Sequence, residues 1–137
     1  MDDNELNGRM AELCGLCHLF SSNVFPMVVH FPVDNVFRIV STARPRGDGD
    51  FPIWSPATDI AQVFEYVVAW LIQRGFRLSM SCQRGVTDVR IWWDNNRCSV
   101  DVQRIGEASH EIMARQICEA ALKAWEAMED NDGKEGV

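Results

Sequence analysis

Between Phe76 and Gln103 the chain carries three runs in which apolar and polar residues alternate one by one, and no other stretch restricts the fold so tightly. Phe76, Leu78, Met80 and Cys82 alternate in the first run, Val89, Ile91 and Trp93 in the second, and Cys98, Val100 and Val102 in the third. A period of two sends successive side chains to opposite faces, so each run reads as a strand with one buried side. The separators Gln83-Arg84-Gly85 and Asp94-Asn95-Asn96-Arg97 have the residue chemistry of turns that join antiparallel neighbours.

Helical periodicity brackets these strands. Ser55-Pro56 offers an N-cap followed by proline at the first helical position. Ile60, Val63, Phe64, Val67, Val68 and Leu71 then recur at helical spacing, and Gly75 after Arg74 supplies a stop. Beyond Gly106, Met113, Ile117, Ala121, Ala124, Trp125 and Met128 form one stripe of a second helix from about Ala108 to Met128. The order is α-β-β-β-α, which predicts an α+β fold built on an antiparallel sheet of three or more strands.

The N-terminal third is less regular. Leu6, Met10, Leu13 and Leu16 follow Asp2, Asp3 and Asn4, which predicts a capped amphipathic helix from Asn4 to Cys17. Short β-like runs are expected from Met27 to Phe31 and from Val36 to Ser41, separated by Pro32 to Asn35. Arg44 to Asp50, rich in glycine, proline and charge, reads as an exposed loop. The expected organisation is an N-terminal segment 1–56 packing on the core, an α-β-β-β-α core over 57–128, and a disordered acidic tail over 129–137.

The charge of -7 is uneven. The core from Ala57 to Met128 holds 8 basic and 9 acidic residues, whereas the tail from Glu129 sets 4 acidic residues against Lys134 alone. Such an acidic chain is repelled by phosphate backbones and anionic lipid, which argues against general nucleic-acid or membrane affinity while leaving room for one local basic pocket. Five cysteines, an odd number, and no secretory leader pattern fit free thiols in a reducing cytoplasm, here that of a host cell.

Alternation also assigns the other strand face. If the apolar face packs on helices, the opposite one carries Arg77, Ser79, Ser81, Arg90, Trp92, Ser99, Asp101 and Gln103. Two arginines beside a tryptophan can hold a planar anion by charge and stacking, so Arg77, Arg90, Trp92 and Gln103 are the candidate ligand-binding residues. The plainer alternative is a solvated face, or one covered by the N-terminal third.

Other constellations lack their partners. Cys14-Gly15-Leu16-Cys17-His18 matches the C-x-x-C-H of haem attachment, but it ends an amphipathic helix in a chain without an export signal. Cys17 and His30 have a finger-like separation, yet no second ligand pair follows to complete four zinc ligands. His18, His30 and His110 stand outside any nucleophile motif, and no phosphate-cradling glycine loop is present. No catalytic residue, metal or cofactor is therefore expected, and the chain is read as non-enzymatic. The α-β-β-β-α order also matches double-stranded RNA-binding domains, which use a lysine cluster at their second helix. The corresponding stretch from Ala108 to Arg115 holds one arginine and one acid, so it lacks that footprint.

Three segments together resemble the phage ABA sandwich domain proteins of phage and prophage genomes. They are Asn4-Glu5-Leu6-Asn7 with Met10-Ala11-Glu12; Asp59 to Phe64 continuing to Arg74-Gly75-Phe76; and Ile117 to Glu126. About two thirds of the chain is covered, and Phe20 to Pro56 diverges. The resemblance implies an α/β/α sandwich, with the N-terminal helix or the segment after it over the polar sheet face. It transfers no catalytic residue. Its genomic setting implies an accessory protein, a group that includes inhibitors of bacterial defence.

Three functions follow as expectations. The first is a counter-defence, anti-CRISPR-like inhibitor whose acidic surface occupies the basic groove of a host defence protein. The second is a sponge for a nucleotide immune signal, held by Arg77, Arg90 and Trp92. The third is a homo-oligomeric assembly protein that pairs through an edge strand, or through Trp70 and Trp125 if these are exposed.

Overall fold

The computed structural model describes residues 1–16, 26–40, 51–106 and 109–135, with side chains described as far as 130. The class is α+β, with two three-stranded antiparallel sheets and helices. The chain divides into two compact units, Met1–Ser55 and Pro56–Val137.

In the first unit, a helix over Asp3–Leu13 starts where the Asp2 carboxylate accepts the Glu5 N–H at 2.7 Å. It ends before the expected Cys17, because Gly15 turns into the left-handed region at φ 70 and Leu16 N–H closes on the Ala11 carbonyl at 2.9 Å. Strands β1 (Met27–Phe31), β2 (Val36–Val40) and β3 (Ile53–Trp54) form a sheet in that order. The two-residue β3 was not expected. Trp54, 1% exposed, donates its indole N–H to the Asn7 carbonyl at 2.8 Å, which ties this short strand to the helix. Ser41, at the expected end of β2, and the expected loop from Arg44 to Asp50 lie outside the described residues.

The second unit opens with a helix over 60–73. Its first turn is capped by Asp59, whose carboxylate accepts the Ala61 and Gln62 N–H groups at 3.0 and 3.3 Å. The expected start at Ser55-Pro56 is thus displaced, since the Asp59 carboxylate supplies the better-placed cap. The middle of this helix, Val63–Val68, is a π-helix. The wider turn shifts the apolar stripe: Val63, Val67, Trp70 and Leu71 are buried, while Phe64, expected on the stripe, is 49% exposed. Gly75 at φ 87 ends the helix as expected, with Phe76 N–H on the Leu71 carbonyl at 3.0 Å.

Strands β4 (Arg77–Gln83), β5 (Val86–Trp93) and β6 (Cys98–Ile105) follow as an antiparallel meander. The β4–β5 loop is Arg84-Gly85, both at positive φ (51 and 76), the conformation whose twist matches its flanking strands. Thr87, Val89 and Ile91 of β5 and Val102 of β6 are buried.

A helix over His110–Glu135 completes the unit, with Ser109 Oγ accepting the Ile112 N–H at 3.2 Å. It outruns the expected end at Met128, so the backbone of the acidic segment expected to be disordered is helical to Glu135. Once a helix is nucleated, each further residue adds a hydrogen bond for little added order. Ala114, Ala120, Ala121 and Ala124 are fully buried, and such small side chains let the helix lie close against its neighbours. Trp70 packs edge-on against Trp125 at 5.2 Å, and Phe76 meets Trp70 at 6.3 Å and Trp93 at 5.4 Å. Both helices of this unit therefore lie on the sheet face that carries Val89, Ile91 and Trp93. Taken by itself this unit has two layers, and the third layer of a sandwich is not supplied from within it. Among the described residues no helix is long and apolar enough to cross a membrane.

Gln116 fixes that helix to the sheet. It is fully buried and donates its amide to the carbonyls of Thr87 at 2.8 Å and Val102 at 2.6 Å, so one side chain grips two strands. Gln116→Glu replaces this double donor by a carboxylate facing two carbonyls. At neutral pH the variant is expected to lose about 3 kcal/mol of unfolding free energy, on the scale of unsatisfied buried polar and charged groups. Its carboxyl is then held above the ordinary glutamate value in the folded state. The deficit against the parent protein, measured by urea unfolding, should therefore shrink as pH falls through that raised value.

Candidate functional site

The register of β4, β5 and β6 arranges the polar face as a grid of three rows. Arg77, Trp92 and Ser99 stand opposite one another in the first row. Ser79, Arg90 and Asp101 form the second, and Ser81, Asp88 and Gln103 the third. Directly opposite Cβ atoms in such a sheet are about 5 Å apart and diagonal ones about 7–8 Å.

The first two rows enclose a square. Arg77 and Arg90 occupy one diagonal, Trp92 and Ser79 the other. These four, with Asn95 and Asn96 of the following turn, line an open groove of about 650 Å³. That size lies within the range of small-molecule sites. Both arginines are exposed and Trp92 is half-buried. Neither arginine's side chain has a hydrogen bond or an ion pair within 4.0 Å among the described residues.

The other arginines of the sheet and its covering helix differ. Arg104 and Arg115 both close on Glu119, at 2.9 and 2.8 Å, and so brace the helix against β6. Arg115 is the one cation in the stretch compared above with duplex-RNA binders, and its charge is already matched. Among the described residues the groove's lining thus offers two arginines outside any close ion pair, a ring, a hydroxyl and two amides, with no carboxylate, histidine or thiol, while Asp101 stands opposite Arg90 just beyond it.

The turn that frames the groove has an unusual backbone. Asp94, Asn95 and Asn96 take positive φ in succession (56, 54 and 69), and Arg97 N–H closes on the Asp94 carbonyl at 3.1 Å. Asparagine and aspartate tolerate this region better than other side-chain-bearing residues. The turn thereby brings Asn95 and Asn96 to the tryptophan end of the groove.

Of the four residues expected from the sequence, Arg77, Arg90 and Trp92 come together. Gln103 does not join them. It lies in the third row, across from Asp88, because each two-residue step along β6 advances one row. Asn95 and Asn96 were read only as turn residues. The signal that could have found them is their position in the turn immediately after Trp92-Trp93, at the end of the strand that carries Trp92.

A second square shares the Arg90 corner. Asp88 and Asp101 occupy one of its diagonals, Arg90 and Gln103 the other. The Asp101 carboxyl is raised above its ordinary value, first by a hydrogen bond with Asp88 and then by desolvation and the charge of Asp88, against the lowering effect of Arg90. Stability from this pair is largest below the ordinary aspartate value and declines as pH rises through the raised one. Asp88→Asn removes the like charge. A carboxyl titration followed by NMR should show the Asp101 midpoint falling in that variant, and an unchanged midpoint would show that the two groups do not interact.

Among the described residues the cysteine motif contributes only the Cys14 thiol. Burial pushes the Cys14 thiol up to about 12, so it stays protonated and is a poor nucleophile or ligand. Cys17 and His18 lie outside the described residues. His30 is exposed, bonds the Asn35 side-chain oxygen at 2.9 Å and meets the Phe37 ring at a tilt, with centroids 5.0 Å apart. Among the described residues no three metal-binding side chains are grouped. Comparison of the chain with protein-family models, with curated proteins and with solved structures gives no match in any of the three.

Proposed function

We propose that this protein is a non-catalytic binding protein whose sheet-face groove holds a nucleotide, and that it acts by sequestering that ligand. The observation that carries this reading is the pair of arginines, neither in a close ion pair, set about Trp92 in one groove. Guanidinium groups bind phosphate oxygens through paired N–H donors, and an indole face stacks on any base. Asn95 and Asn96 add amide donors and acceptors at the ring end, where a base edge would lie. Among the described residues the lining holds no general base or activated nucleophile, which favours holding a ligand over transforming it. With the resemblance to phage accessory proteins, the role is that of a sponge for a nucleotide signal of host defence.

A calorimetric panel of mononucleotides and cyclic nucleotides tests this. At least one is expected to bind, and Trp92→Ala should weaken it about tenfold or more without altering the melting temperature of the free protein. Arg77→Ala should do the same through the phosphate. If no nucleotide in the panel binds or raises the melting temperature, the reading fails.

A second reading rests on the acidic surface. Asp2, Asp3, Glu5 and Glu12 are all exposed at or along the N-terminal helix, and the whole chain carries -7. Such a surface supports competition for the basic groove of a defence nuclease. Inhibition of a CRISPR nuclease that fades with added salt is the expected result under that reading. The assembly role loses one of its supports, because Trp70 is 7% exposed and packs within its own unit.

A further inference from the structure

Arg90 belongs to both squares of the polar face, and this shared corner limits what the groove can hold. On its β4 side lies the binding square. On its β6 side and one row along lie Asp101 and Asp88, the two carboxyls of the second square. We infer that Asp88 and Asp101 are specificity-determining residues that restrict the groove to one compact anion and turn away a continuing phosphodiester strand. This inference rests on the nucleotide reading above.

The argument is geometric. A single phosphate group between Arg77 and Arg90 meets cations on both sides. A strand has further phosphates, and those that continue across the sheet past Arg90 must pass over Asp101, directly opposite it on β6. Those that continue along β5 must pass over Asp88, two residues before Arg90 on the same face. Both carboxyls stand within a Debye length of such a phosphate, so the repulsion is felt in full solution conditions.

Toward the other end of β5, the ring of Trp92 and the Asn95-Asn96 turn close the groove. The groups facing Arg90 are therefore Arg77 and Ser79 from β4, Asp88 and Trp92 from its own strand, and Asp101 and Gln103 from β6. Cations occupy only one diagonal of one square. Nucleic-acid surfaces, by contrast, repeat their cations along the path of the backbone.

The test compares the mononucleotide that binds most tightly with a homopolymer of the same base that ends in a 5′-hydroxyl, so that no terminal phosphate is offered. The parent protein should bind the mononucleotide and bind the homopolymer measurably but far more weakly. The Asp88→Asn, Asp101→Asn double variant keeps side-chain shape and should gain homopolymer affinity by about tenfold, about threefold for each carboxylate removed, while its mononucleotide affinity also rises, because Asp101 stands opposite Arg90, but by less than the homopolymer's. Each single variant should gain about threefold, which separates lost charge from a general change in the sheet. If the parent binds the homopolymer as tightly as the mononucleotide, or the double variant gains nothing, the inference is overturned while the nucleotide reading stands. If the parent binds no nucleotide of the panel, mononucleotide or cyclic, both fall together.

Discussion

The pairing register of β5 with its two neighbours is the constraint on which the polar face depends. A slip of one residue would turn Arg90 and Trp92 toward the helices and bring Val89 and Ile91 to solvent. Several features hold the register. Arg84 and Gly85 adopt the left-handed pair that fixes the β4–β5 hairpin. Burial of Thr87, Val89 and Ile91 makes either slip costly, and Gln116 grips the carbonyls of Thr87 and Val102 from the helix side. The grid of arginines, acids and tryptophan is a consequence of this arrangement on the reverse side of the same strands.

That coupling connects packing to binding. Trp93 and Phe76 join the aromatic cluster with Trp70 and Trp125 on the helix face. The adjacent Trp92 is thereby left on the opposite face, across from Arg77. A ligand that stacks on Trp92 would rest on a strand whose other side is one of the best-buried surfaces of the unit. Little rearrangement is then needed on binding, which lowers the ordering cost.

The strands and the two flanking helices were legible because period-two and period-3.6 patterns are strong where one face is buried. The candidate residues Arg77, Arg90 and Trp92 came from the same alternation. Other features were not legible, for identifiable reasons. The π-helix over Val63–Val68 changes the helical period locally, which a fixed spacing cannot register, so Phe64 was placed on the wrong side. Gln116 is polar in sequence, and its burial depends on two carbonyls supplied by other strands. Trp54 in its two-residue strand depends on Asn7, far away along the chain. Gln103 shares a face with the arginines but lies in a different row, because a face follows from alternation whereas a row follows from cross-strand register.

The central claim is that one square of this grid, Arg77, Trp92, Arg90 and Ser79, is where an anion with a planar ring is held. The most direct measurement records tryptophan indole and arginine guanidinium NMR signals while a mononucleotide is titrated into the protein. The account predicts saturable shifts at Trp92, Arg77 and Arg90, with the indoles of Trp54, Trp70 and Trp125 unmoved. Saturable shifts confined to other tryptophans and arginines, or no shift at any nucleotide concentration, would contradict it.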